Sequence, residues 1–176
     1  MRTGSGMLRS MTREALAVRL RPVQDADVSA VTSLNQSHVP EVGSADEERI
    51  GYLRQLSHRF DVIEVDGRVA GLVVTFQPGS SYDSANYRWF SERLGGDFYY
   101  LDRVVVDASV RRRGVAGRVY DELEAVAAEY GQMALEVNLV PRNDGSLAFH
   151  AQRGYVEVGR LGDADHLVSM LTKQLP

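Results

Sequence analysis

The sequence predicts an α/β fold, a mixed sheet with helices on its faces. Three observations carry that reading. Strand-like apolar runs recur at residues 15–22, 60–76, 98–107, 133–140 and 155–175. Segments with helical spacing of apolar residues lie between them, as at Val28, Val31 and Leu34 or Val119, Leu123 and Val126. The chain has 176 residues, 44% of them hydrophobic and 25% charged, enough to bury a core without staples.

ALAVRLRP alternates and stops at Pro22, a first strand. Asp25 or Asp27 stands where it could cap a helix through Val28. Residues 35–44 read as a loop, and Asp46 to His58 as a second helix with Ile50, Leu53 and Leu56 on one face. Two apolar runs flank Asp66-Gly67, a strong hairpin signal. Residues 77–97 read as a long loop, with too many aromatics (Tyr82, Tyr87, Trp89, Phe90) for disorder. FYYLDRVVVD is a strand, followed by a helix opening near Gly114 and ended by Gly131. MALEVNLV is a strand, SLAFHAQRG a short helix, and YVEVGRL and HLVSMLTKQL the last strands. Residues 1–14 have no period and read as a flexible segment, leaving 15–176 as a single domain.

Composition excludes several functions. There is no cysteine, so disulfides, thiolate metal sites and a cysteine nucleophile are out. Twenty Lys+Arg against 24 Asp+Glu give a formal charge of -4, at odds with a dedicated nucleic-acid binder, which needs a basic surface. No apolar run approaches the ~20 residues that span a bilayer, and no secretory h-region is present, so a cytoplasmic protein off the membrane is expected. His38 and His58 lack carboxylates at ligand spacing, so no metal is expected.

The most informative stretch runs from Val104 to Arg118. A buried strand ends, the chain turns, and a helix opens. A helix mouth presents unpaired N–H groups and the positive end of the dipole, a ready anion site. Gly114, Ala116 and Gly117 keep side chains clear, Val115 lies between them, and Arg111, Arg112, Arg113 and Arg118 supply forked donors. The plain alternative is a basic surface turn before an ordinary helix. Neither the P-loop nor the Rossmann glycine pattern is present. A second cluster holds Asn143, Ser146, His150 and Gly154-Tyr155; Asn143 or Asp144 could cap the short helix, and a lone His there is ordinarily structural.

Together these clusters resemble the GNAT superfamily of acyl-CoA-dependent N-acyltransferases. Arg111-x-x-Gly114-x-Ala116 matches the family's [QR]-x-x-G-x-[GA] turn, directly after Leu101-x-x-Val104-x-Val106-Asp107, and Asn143, His150 and Gly154-Tyr155 match its downstream pattern. YDSANYRWF followed by YYLDRVVV is similar to a bacterial subgroup of predicted GNAT acetyltransferases. The resemblance spans residues 16 to about 172. It implies a mixed, mostly antiparallel sheet of six to seven strands, helices on both faces, and central strands that splay to admit pantetheine. It implies acetyl-CoA as co-substrate, with the backbone of Val104, Val105 and Val106 on the pantetheine amides. The turn from Arg111 to Arg118 would hold the pyrophosphate, and Asn143 and Ser146 would lie across the cofactor arm. The position of His150 is commonly Tyr in the family, where it serves the departing thiolate.

The chemistry implied is direct attack of an amine on the thioester. A base is needed because an alkylammonium has a pKa near 10.4. Asp102 and Tyr100, on one face with Val104 by alternation, and Glu136 on the neighbouring strand are candidates; structural salt-bridging is the ordinary role of such residues. His150 is the candidate acid. Glu41, Tyr82, Asp83, Asn86, Tyr87 and Trp89 could form the acceptor site, with aromatic faces for an ammonium, or else simply pack the loop. The acceptor would be a small-molecule amine or a peptide or protein amine. An exposed sheet edge could pair two copies in a homodimer. Readings from other classes are an acyl-CoA-binding sensor without turnover and a small structural or nucleic-acid partner.

Overall fold

Asp66 and Gly67 take φ of 50° and 78°, the primed turn whose twist suits a hairpin. Around it the computed structural model, which describes residues 16–176, builds twelve main elements. In chain order they are β1 (Val18–Pro22), α1 (Val28–Gln36), α2 (Glu47–Leu56), β2 (Arg59–Val65), β3 (Arg68–Phe76), α3 (Ala85–Leu94), β4 (Tyr99–Val106), α4 (Val115–Ala127), β5 (Gln132–Val140), α5 (Asp144–Gln152), β6 (Val156–Gly162) and β7 (Leu167–Gln174). The segment 1–14 lies outside the described residues.

The seven strands form one sheet in the order β1-β2-β3-β4-β5-β7-β6. Neighbours are antiparallel except β4 and β5, which run parallel and pair only at Tyr99–Met133 and Tyr100–Ala134. Beyond those residues the two strands part, as the family resemblance implies. Val31 of α1, Ile50 and Leu53 of α2, and Tyr87 and Phe90 of α3 pack one face of the sheet with Leu72, Val74, Tyr100 and Val105. Val119 and Leu123 of α4 and Phe149 of α5 pack the other with Val73, Tyr99, Leu101 and Leu135. Each face thus buries large side chains that are worth roughly 1.5–3 kcal/mol apiece in removed apolar surface.

Two local expectations are corrected. Asp27 does not cap α1. Its carboxylate takes the guanidinium of Arg21 at 2.7 Å and the Gln24 N–H at 2.9 Å, while a 3-10 turn at Asp25–Asp27 leads into the helix. Residues 77–97 are not all loop, because α3 occupies Ala85–Leu94. Ser84 caps it, accepting the Tyr87 N–H at 3.3 Å, and Tyr87 and Phe90 at helical spacing dock it on the sheet.

That helix carries Trp89 to β6. A Cβ added at Gly159 would lie 2.5 Å from Trp89 Cζ2, so the indole lies on the backbone where only glycine fits. Gly159→Ala is expected to cost about 1–3 kcal/mol by overpacking. A urea titration followed by the fluorescence of this lone tryptophan checks it; an unchanged midpoint would show that the ring moves aside freely.

Strand β4 also contains a bulge. Val74 pairs with Arg103 and Thr75 with Leu101, leaving Asp102 as the extra residue. Alternation therefore slips by one. Tyr100, Arg103 and Val105 turn toward α1–α3, and Leu101, Val104 and Val106 toward α4. Val104 consequently does not share a face with Tyr100, contrary to simple two-residue spacing, and Asp102 and Arg103 meet at 2.7 Å instead of facing opposite ways.

Candidate active site

Two cavities meet at the parting of β4 and β5. The first, about 550 Å³, is lined by Val104, Val105, Val106, the turn and first residues of α4, and Asn143, Ser146 and His150 of α5. Asp107 donates its N–H to the Ala70 carbonyl on β3 at 2.8 Å. By the antiparallel rule Val105 also turns its peptide groups to β3, and Val104 and Val106 turn theirs to the gap. The gap therefore offers the backbone donor and acceptor of Val104 and the N–H of Val106, whose carbonyl takes Arg111 Nε, and not the peptide groups of all three valines.

The floor of this cleft is the mouth of α4. Asp46, Ser84 and Asn143 cap α2, α3 and α5 through side chains, whereas α4 has no side-chain cap. Gly114 precedes it at φ 80°, a conformation glycine adopts without strain. The N–H groups of Val115, Ala116 and Gly117 are left facing the cavity, whose lining includes all three residues. Cβ atoms built at Gly114 and Gly117 would meet nothing within 4 Å. An uncapped, unobstructed helix mouth beside a free strand edge fits a diphosphate with an amide-bearing arm.

Among the arginines, Arg111 bends back, donating from Nε to the Val106 carbonyl at 3.1 Å and from Nη2 to His38 Nε2 at 2.6 Å. Arg112 and Arg113 are exposed. Arg118 donates to the Leu16 carbonyl and, with Arg113, lies outside the cavity lining. Asn143 is the α5 cap, accepting the Ser146 N–H at 3.0 Å.

His150 is buried against Tyr120, a residue that no motif in the sequence singled out. Nδ1 lies 2.7 Å from the Ser146 carbonyl, which can only accept, so Nδ1 carries the proton and Nε2 accepts from the Tyr120 hydroxyl at 2.7 Å. Burial lowers the His150 pKa and holds the ring neutral, and burial raises that of Tyr120. The tyrosine is the proton-bearing partner of the pair.

The second cavity, about 390 Å³, opens on the other side of the parting. Glu41 lines both. At its back stands Glu136 on β5, also lining the cavity with Asp102 of β4. Tyr100 donates to the Glu136 carboxylate at 2.8 Å and Asn86 at 2.8 Å. Burial, and then the charge of Asp102, push the Glu136 pKa up to about 8, against the pull of those two donors. Asp102 is itself held by Arg103 Nε and by the Tyr82 hydroxyl, both at 2.7 Å.

The aromatic residues are otherwise engaged. Tyr82 stacks on Phe76 at 4.0 Å, with the Arg49 guanidinium 5.5 Å from the ring centre. Tyr87 is buried and donates to the Gln77 carbonyl at 2.8 Å, and Trp89 carries Arg93 on its face at 3.9 Å. Of the residues expected to meet the acceptor, Glu41, Tyr82, Asp83 and Asn86 line this cavity and Tyr87 and Trp89 do not. Asn138, Arg49 and His166 also line it; nothing in their spacing announced them. Among the described residues no group of three or more His, Asp or Glu could hold a metal ion, and no helix is long and apolar enough to cross a membrane.

A sheet opened at its middle over an uncapped helix mouth is the architecture of acyltransferases that draw on coenzyme A. The family model described as Acetyltransferase (GNAT) family matches residues 28–155, and the chain belongs to that family, whose members use acetyl-CoA. Solved structures share the fold. Ard1 from Thermoplasma volcanium is 18% identical with a TM-score of 0.70, over 92% of this chain and 99% of that one. The ribosomal-protein-S18-alanine N-acetyltransferase of Escherichia coli is 15% identical, TM-score 0.64, over 90% and 94%. YncA of Salmonella typhimurium, whose structure includes its cofactor acetyl-CoA, is 16% identical, TM-score 0.64, over 91% and 95%. No curated protein matches the sequence.

Proposed function

We propose that the protein transfers the acetyl group of acetyl-CoA to a primary amine while both are bound, with Glu136 as general base. The observation that carries this is the Glu136 carboxylate, held by Tyr100 and Asn86 at the back of one cavity, where β4 and β5 part toward the other. Acetyl-CoA supplies an activated acetyl thioester. Residues of this chain do the rest.

The mouth of α4 holds the diphosphate with Arg111 and Arg112, the two arginines that line the cleft, and the Val104 peptide groups and the Val106 N–H hold the pantetheine arm. Glu136, as carboxylate, takes one proton from the entering ammonium; the freed amine bonds to the acyl carbon as the carbon–sulfur bond breaks, and the second proton that the nitrogen sheds on becoming an amide replaces the one given to the sulfur. A base whose pKa lies close to ambient pH combines the right protonation state with useful proton affinity. A backbone N–H at Val104 or Val106 faces the charge that develops on the carbonyl oxygen; one such donor is typically worth ~3–4 kcal/mol. The Tyr120 hydroxyl, turning its proton from His150 Nε2 to the cleft, is the donor for the departing sulfur. His150, neutral and accepting from Tyr120, acts as a positioning residue in place of an acid. Asp102 is likewise a positioning residue, raising the proton affinity of Glu136.

The test is release of free thiol from acetyl-CoA across a panel of amines. Release that needs the amine, with the acetylated amine seen by mass spectrometry, is expected. Tight acetyl-CoA binding without release for any amine or peptide would instead favour the sensor reading.

A further inference from the structure

The lining of the acceptor cavity says which kind of amine it takes. Its two arginines are committed. Arg49 is bidentate on Asp83 at 2.7 and 2.9 Å, and Arg103 is bound by Asp102, by Asn35 Oδ1 at 2.8 Å and by the Gly43 carbonyl at 3.1 Å. No guanidinium is left to receive a carboxylate or phosphate on the acceptor. Both faces of Tyr82 are covered, by Phe76 and Arg49, so an ammonium finds no open ring. What remains, beside the donors of Ser84 and His166, is rich in acceptors. Asn86 and Asn138 each give one N–H, to Glu136 and to the Pro40 carbonyl, which leaves both lone pairs of their amide oxygens and one N–H apiece. Glu136 Oε2 meets one donor, Tyr100. Glu41 makes no hydrogen bond or ion pair among the described residues. Two carboxylates on the lining, Glu136 and Glu41, with both guanidiniums already paired, favour a ligand rich in donors and positive charge.

We propose that the acceptor is a small hydrophilic amine carrying a second positive charge, one cationic end at Glu136 and the other at Glu41. The inference rests on the reading of this cavity as the acceptor site of an acetyltransferase. Glu41 borders both cavities, so a short substrate held there stays beside the thioester channel. At about 390 Å³ the cavity suits a compact small molecule, and its lining of loop 40–44, Asp83, Ser84 and Asn86 on one side and His166 and Val168 on the other encloses such a molecule. An α-amino acid would bring an unmatched carboxylate against Glu41, and a plain alkylamine would leave the free amide oxygens without donors.

The experiment compares thiol release with 1,4-diaminobutane, n-butylamine, alanine and a lysine-containing peptide at saturating acetyl-CoA. The diamine is expected to exceed butylamine by about tenfold or more in kcat/KM, a difference of about 1.4 kcal/mol, and the advantage should shrink with added salt. Glu41→Gln should bring the diamine-to-monoamine ratio close to unity. A ratio near unity in the unaltered protein, a ratio that survives Glu41→Gln, or alanine or the peptide as best substrate would each overturn the proposal. Should no amine release thiol, calorimetry of diamine and monoamine onto the CoA-loaded protein reads the same preference. A preference there with no turnover keeps the dication and removes the enzymatic reading; no preference removes the dication.

Discussion

Replacing Glu136 with Gln is expected to lower amine-dependent thiol release by about 10²- to 10⁴-fold, the usual worth of a positioned base, while acetyl-CoA affinity stays within error. Gln keeps the hydrogen-bonding shape of the site but cannot take a proton. The pH profile carries the same assignment. Burial and the Asp102 charge push Glu136 up to about 8, so in the free enzyme the base form is scarce at pH 6 and grows through pH 8. The rate should therefore rise with pH and level off above about 8. His150, held neutral, should add no falling limb near its titration. A profile flat from pH 6 to 9, or a Glu136→Gln variant of full activity, would assign the proton to ordered water or another group.

The same shift predicts a stability effect of opposite direction to the usual carboxylate. The folded protein binds the Glu136 proton more tightly than the unfolded chain does, whose carboxyl titrates near 4.5. Folding therefore loses stability as pH rises from about 4.5 through 8. Glu136→Gln removes that penalty, so the variant should melt higher than the parent at pH 9 and lose its advantage near pH 5. A variant dead in catalysis yet more stable at high pH separates loss of a base from loss of the fold.

Local signals in the sequence reached as far as local physics does. The Asp66-Gly67 turn, the phosphate turn and the ends of α4 follow from dihedral preferences and unpaired N–H groups within a few residues. Helix α3 had its signals too, a Ser84 cap, Tyr87 and Phe90 three apart, and Gly95 beyond the end, but the serines and glycine before it and its aromatic content resemble a packed loop. The base needed distant information. Glu136 is one polar residue in an apolar strand, and its proton affinity comes from Tyr100, Asn86 and Asp102, 36, 50 and 34 positions away in the chain. The bulge at Asp102 was invisible for the same reason. An extra residue in β4 shows only in its register with β3, yet it decides that Arg103 meets Asp102 and that Val104 and Val106, not Val105, face the gap.

The other large effect is expected at the mouth of α4. Gly114 is a poor place to test it, since φ 80° makes any side chain strained there and a lost cofactor could simply mean a distorted turn. Gly117 has helical backbone, and its Cβ would meet nothing within 4 Å. Gly117→Glu adds bulk and a negative charge where the cleft narrows to the uncapped N–H groups. A carboxylate in the first turn favours the helix itself by a few tenths of a kcal/mol or more, so the fold should hold while a diphosphate is repelled from the site that the new carboxylate now occupies. Acetyl-CoA affinity should fall by about 100-fold or more by calorimetry, two steps of 1.4 kcal/mol each, with an unchanged melting transition in the absence of ligand. Gly117→Ala, without charge, should lose far less. If Gly117→Glu binds acetyl-CoA as the parent does, the diphosphate does not lie on this helix, and the Val104 and Val106 peptide groups lose their part in aiming the thioester at Glu136.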